Sequence, residues 1–287
     1  MRTPVTLLAM LAGLVAIFGV AINLGEAIVD AAAPAPNRQT GPQSGSPSGG
    51  DSERGMGPGG LAVADQGYLL RPRTTRFTAG ETTDFLFTVF TVDGKPVTDF
   101  ARSPHRMNLV VVRRDMSGYQ RLHPTMSRDG TWSVPLELDR PGSHRAFAEF
   151  LPESATTPVI LGVDLDVPGL AEPGPIPKIS STADVDGYTV VGTGDLIAGS
   201  VSQLSMHVIR DDVPVTDLDT YLGNAGRLVI LREGDLAYLQ VRPIEGPRRD
   251  TTIGFEVEAP TAGYYRMFVE FQHRGRVRTA EFTALAR

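Results

Sequence analysis

Cysteine is absent from the 287 residues, and lysine occurs only twice, as Lys95 and Lys178. Without cysteine no disulfide can staple the fold, and a thiolate zinc site, a cysteine nucleophile and a lipid-modified cysteine anchor are all excluded. The scarcity of lysine, with arginines scattered along a chain of formal net charge −6, leaves no clustered basic footprint for nucleic acid. Histidine is thin as well, five residues in all. G-x-S-x-G, P-loop and H-E-x-x-H motifs are missing, so no nucleophile has a base beside it in sequence. Beyond residue 30 no segment sustains a helical period. These absences point away from an enzyme and towards an all-β protein.

What is present divides into three textures. From Val5 to Ile22 no residue is charged. Continued to Gly25, a helix there would be about 32 Å long at ~1.5 Å per residue, enough to cross a bilayer core. Arg2 precedes it, and Glu26 and Asp30 follow, which fits a cytoplasmic N-terminus and an exported remainder. Residues 1–30 therefore read as a transmembrane anchor through residues 5–25 of the cytoplasmic membrane. The competing reading is a signal peptide cut near Ala31-Ala32-Ala33, which would leave the chain secreted. Residues 31–66 are rich in Pro, Gly and Ser and read as a disordered linker. Gly55, Gly57 and Gly60 in it satisfy G-x-G-x-x-G, but no strand precedes them and no helix follows, so no phosphate site is expected.

The third texture is strand-like and repeats itself. "NLVVVRRDMSGYQRLHP" (108–124) aligns without a gap to "RLVILREGDLAYLQVRP" (227–243). "FTAG" from Phe77 matches "LIAG" from Leu196, and "PVTDF" from Pro96 matches "PVTDL" from Pro214. "SVPLELDRPGSHRAFAEF" (133–150) matches "GFEVEAPTAGYYRMFVEF" (254–271). Short apolar runs broken by turn residues at this spacing indicate β-sandwiches. The expectation is two tandem immunoglobulin-like domains, 67–167 and 184–285, joined by a proline-rich spacer, 168–183. In "AGYYRMF", Tyr265 falls where a tyrosine corner would lie, and His144 holds the same place in the first copy as a structural replacement.

Those blocks resemble a group of actinobacterial membrane-anchored or secreted proteins with a duplicated β-sandwich repeat, some described as heavy-metal-binding or copper-associated. The resemblance covers most of residues 67–285. It implies an anchor, a polar stalk and a repeated domain. In that pattern histidines tend to stand where this chain has Asn108, Arg121, Arg227, Gln240, Arg242 and Arg278, and only His123 and His273 match.

Two functional readings follow. The first is a non-enzymatic, extracytoplasmic binding or structural module of the cell envelope, needing no cofactor and meeting a protein or envelope component. The second is a copper or heavy-metal protein with a reduced site. There His105, Met107, His123 and Met126 form a soft donor set, since imidazole and thioether suit Cu(I). His273, in "FQHRGR", reads as a solvated turn residue, and His207 as an edge or outward strand residue. Asp164/Asp166 and Asp184/Asp186 are fragments of a calcium loop that do not continue into one. The groups Arg71/Arg73/Arg76, Arg242/Arg248/Arg249 and Arg274/Arg276/Arg278 read as solubilising charge, or as contacts to an anionic partner.

Overall fold

The computed structural model describes residues 58–101, 105–244 and 252–287. The expected anchor and most of the stalk, 1–57, lie outside the described residues, as do Arg248 and Arg249. Among the described residues there is no helix, and the chain is all-β.

The first repeat contributes β1 (Ala64–Asp65), β2 (Tyr68–Pro72), β3 (Thr83–Thr91), β4 (Met107–Arg113), β5 (Gln120–Leu122), β6 (Thr125–Met126), β7 (Thr131–Leu136), β8 (Gly142–Phe150) and β9 (Val159–Val167). They form two antiparallel sheets, β1-β2-β3-β7-β6 and β5-β4-β8-β9. The second repeat contributes β10 (Thr182–Val185), β11 (Tyr188–Thr193), β12 (Val201–Arg210), β13 (Val213–Pro214), β14 (Gly226–Arg232), β15 (Tyr238–Leu239), β16 (Val241–Ile244), β17 (Thr252–Glu258), β18 (Gly263–His273) and β19 (Arg276–Ala286). Its sheets, β10-β11-β12-β17-β16 and β15-β14-β18-β19, repeat the order of the first pair, with β13 added beside β12. The duplication read from the sequence is thus a duplication of topology.

Each repeat opens on a hairpin that sequence matching passed over. The β1–β2 turn is Gln66-Gly67 and the β10–β11 turn is Asp186-Gly187, all at positive φ. A two-residue loop of this kind matches the right-handed twist of its strands. Each sandwich then closes on its own core. Phe85, Phe87 and Trp132 from one sheet meet Leu109, Ala148 and Phe150 from the other, and Met206 and Phe255 meet Ile230, Tyr265 and Phe271 in the second repeat. The tyrosine corner is present: the Tyr265 hydroxyl donates to the carbonyl of Thr261 at 2.8 Å. His144 occupies the equivalent place, buried, with Nδ1 3.2 Å from the carbonyl of Gly142.

A third core lies between the repeats. β4 turns Leu109 and Val111 into its own sandwich and Val110 and Val112 outward. β14 does the same with Leu228 and Ile230 against Val229 and Leu231. The outward residues, with Met116, Phe147, Ile160, Leu236, Tyr238 and Phe268, bury one another. Strands buried on both faces read as continuous apolar runs, which is why "LVVV" and "LVIL" do not alternate.

The connection between the repeats is tied down rather than free. Ile176 packs on the third core, the Gly174 amide donates to Asp115 at 2.9 Å, and Arg113 donates to the carbonyl of Glu172 at 3.1 Å. The expected stalk also ends earlier than residue 66. Gly59 exchanges backbone hydrogen bonds with Tyr238, and the Gly60 amide donates to Ile160. Both glycines are buried. A Cβ on Gly60, at φ +73°, would stand 2.4 Å from Cδ1 of Phe147, and one on Gly59 2.8 Å from Ile160. Two glycines in a row let this strap thread the seam where any side chain would collide.

Candidate functional site

The seam between the sandwiches holds the polar groups of interest. Leu122 faces the first core, so at the period of two the flanking Tyr119, Arg121 and His123 face the seam. Tyr119 stacks on Phe268 of the other repeat, ring centroids 4.2 Å apart. The aligned pair, Tyr238 and Phe147, meets at 5.4 Å in the reverse sense. Each repeat therefore offers its tyrosine to the other's phenylalanine, as in a two-fold dimer, but within one chain.

Arg121 sits between the two aligned glutamates. Its Nε is 2.6 Å from Glu270 and its Nη1 is 3.8 Å from Glu149. Its side chain is 3% exposed, as is that of Glu270. Tyr119 donates to Glu270 at 3.0 Å, and Asn108 donates to Glu149 at 3.5 Å. Burial raises the Glu270 carboxyl above the usual range, opposed by Arg121 and by the Tyr119 bond. Burial also pushes the hydroxyls of Tyr119 and Tyr238 up. The residue aligned with Arg121 is Gln240. One position between two symmetry-equivalent carboxylates has room for one guanidinium, which gives a physical reason for the repeats to differ there.

A cleft opens on each side of Arg121. One, of about 760 Å³, is lined by His105, Tyr119, His123, Tyr221 and Glu270 among others. The other, of about 310 Å³, is lined by Glu149, Arg227, Tyr238, Gln240 and Arg242 among others. Arg121 lines both. Asn108 joins this cluster through Glu149. Burial pushes the Tyr221 hydroxyl up to about 12.

Of the four proposed copper donors, the structure brings together the two histidines. The rings of His105 and His123 stack at 3.8 Å with planes 15° apart. His123 titrates well below its ordinary value, at about 4, first because of burial and then because of His105 and Arg121. The thioethers point elsewhere. Met107 is fully buried in the first core and Met126 packs against it. An ion bound to imidazole lies close to the ring plane, and two near-parallel planes this far apart share no such point. The four residues as arranged do not fit one copper ion.

The expectation for His273 is corrected. His273 is buried, not solvated. β18 extends through it, and the stripe Tyr265, Met267, Val269, Phe271 carries it inward, where Nδ1 meets the Tyr188 hydroxyl at 2.8 Å and Nε2 lies 3.2 Å from Asp217. Arg278 lies over the Tyr188 ring at 4.5 Å. His207 lies on β12 with Nδ1 3.4 Å from the Thr252 hydroxyl. The aspartates of the two calcium-loop fragments are spoken for separately: Asp164 by Arg145, Asp166 by Arg76, Asp184 by Thr189 and Asp186 by Arg276.

The fold and its seam define a protein of two fused immunoglobulin-like sandwiches. A family model described as "Domain of unknown function (DUF8832)" matches residues 183–287, the second repeat. A search of curated proteins found no match. Among solved structures, the Escherichia coli adhesin FdeC is similar at 14% identity and a TM-score of 0.25, over 79% of this chain and 66% of that one. The Yersinia pseudotuberculosis adhesin InvE is similar at 13% and 0.23, over 80% and 61%. The D0–D1 domains of intimin are similar at 12% and 0.22, over 75% and 96%. This chain thus spans less than two thirds of either of the first two, and no functional residue is carried over from them.

Proposed function

We propose that the chain is a non-enzymatic binding module held outside the cytoplasmic membrane by its N-terminal segment, with the two sandwiches acting as one rigid body. The third core carries the one-body part of this reading. Its apolar faces are continuous and mutually buried, whereas independent domains on a spacer would expose them as patches that soluble surfaces avoid. The polar seam groups hold one another: Arg121 with Glu270, and Tyr119 with both Glu270 and Phe268. The apolar run ahead of the stalk supplies the anchor. Because the chain has no cysteine, a single exposed Ser200→Cys can be labelled in intact cells with a membrane-impermeant maleimide. Labelling before lysis is expected; labelling only after lysis would sink the extracytoplasmic reading.

A copper reading has one observation in its favour, the contact between His105 and His123. It requires the stacked rings to part. Titration of the chain with Cu(I) and Cu(II), beside His123→Ala, tests it. At least a tenfold loss of affinity in the variant would support it, and equal binding by both proteins would remove His123 from any site.

A further inference from the structure

We propose that the smaller seam cleft binds a small organic anion, a carboxylate carried on an apolar body. The proposal deepens the binding-module reading by naming a site and a ligand class.

The cleft has the build of a ligand site rather than a packing defect. Its volume of about 310 Å³ is at the lower end of small-molecule pockets. One part of its wall is apolar, formed by Pro158, Ile160, Leu228, Tyr238, Val241 and Pro243. The rest carries three guanidinium groups, Arg121, Arg227 and Arg242, against one carboxylate, Glu149. Among the described residues Arg227 and Arg242 form no ion pair, while Arg121 is shared by Glu149 and Glu270. The one bond of the Arg227 guanidinium is a 3.5 Å contact with the carbonyl of Leu222, and its buried Nε has no partner. Arg121 Nη1 likewise lacks a hydrogen bond. Buried donors without acceptors are few in folded proteins, and each is costly. A carboxylate would supply acceptors in the planar geometry that guanidinium matches best.

The sister cleft sharpens the case, because the duplication provides an internal control. Arg242 aligns with His123 and Arg227 with Asn108. Both clefts keep a glutamate and a tyrosine, Glu149 with Tyr238 on one side and Glu270 with Tyr119 on the other. The arginines are thus what distinguishes this cleft from its twin. Glu149 is the group that opposes an anion; Arg121 partly offsets its charge and Asn108 donates a hydrogen bond to it.

The test is calorimetric titration of the full-length chain in lipid nanodiscs with benzoate, benzylamine and inorganic phosphate. One-to-one benzoate binding is expected, weakened by added salt, with benzylamine silent and phosphate weaker for want of an apolar body. Arg227→Gln should lower benzoate affinity about tenfold or more, the scale of one charge-assisted hydrogen bond. Glu149→Gln should tighten it. Should Arg227→Gln fail to fold, Arg242→Ala, at an exposed position, carries the same prediction at about threefold or more. Absence of benzoate binding, equal binding of benzylamine, or affinity unmoved by the arginine substitutions would each overturn the proposal. Cell-surface labelling does not depend on the ligand, so a failed titration beside successful labelling removes the site and leaves the module.

Discussion

Arg121 shows how much one residue decides at this seam. Its charge is buried between Glu149 and Glu270, and a buried pair is worth little against an apolar replacement, yet losing one partner is expensive. Arg121→Leu should therefore destabilise the chain by about 3–5 kcal/mol in urea unfolding, by stranding Glu270. Adding Glu270→Gln should recover much of that loss. His123 makes a second prediction. Its ring stays neutral in the folded state down to about pH 4, while in the unfolded chain it takes a proton near its ordinary 6.5. As pH falls from 6.5 to 4 the unfolded state gains a proton that the folded state refuses, so stability drops across that window and levels off below it. The ring is partly buried, so the effect is about 1–2 kcal/mol after allowance for solvent screening. His123→Gln should flatten this part of the stability profile, with a residual slope from His144, which burial also holds below its ordinary value. The period of two that aims Tyr119, Arg121 and His123 together became readable only once Leu122 was placed in the first core. Sequence could not show what they meet, because Glu270 lies 149 positions beyond Arg121 and reaches it only through the docking of two sandwiches.

At the scale of elements, the sandwich class and the repetition of its strands were legible from turn residues and apolar runs, and the corner at Tyr265 from its local motif; the opening hairpins and the order of strands within each sheet were not. Tyr265→Phe should cost about 1–3 kcal/mol by leaving the Thr261 carbonyl without its donor, measurable in the same unfolding assay. The unbroken "LVVV" and "LVIL" also carried the signal of strands covered on both faces, a signal that alternation-based reading of each sandwich sets aside. The strap at Gly59-Gly60 was hidden by composition, since Gly-rich chain looks like linker. Here glycine is required by the close approach of Phe147 and Ile160. Gly60→Ala should expel the strap, at about 1–3 kcal/mol as for other overpacked sites. Faster hydrogen exchange is then expected at the Gly59, Gly60 and Tyr238 amides, while the Tyr265 corner stays protected.

At the scale of the whole molecule, the third core turns a tandem repeat into a single body, and both clefts exist only because it does. Ile176 and the glycine strap both lie against the same seam, so chain connectivity reinforces the docking. Leu231→Ala, in that core and fully buried, should cost about 2–5 kcal/mol. Val112→Asp should separate the sandwiches outright by burying an unpaired charge. The most direct test uses the cysteine-free background. Spin labels at Glu81→Cys in the first repeat and Ser200→Cys in the second, both exposed, report the distance between sandwiches by pulsed electron resonance. A single narrow distribution is expected, broadening when Val112→Asp is added. A broad distribution in the otherwise unaltered chain, of the kind two domains on a flexible spacer give, would contradict the one-body arrangement and with it both seam clefts.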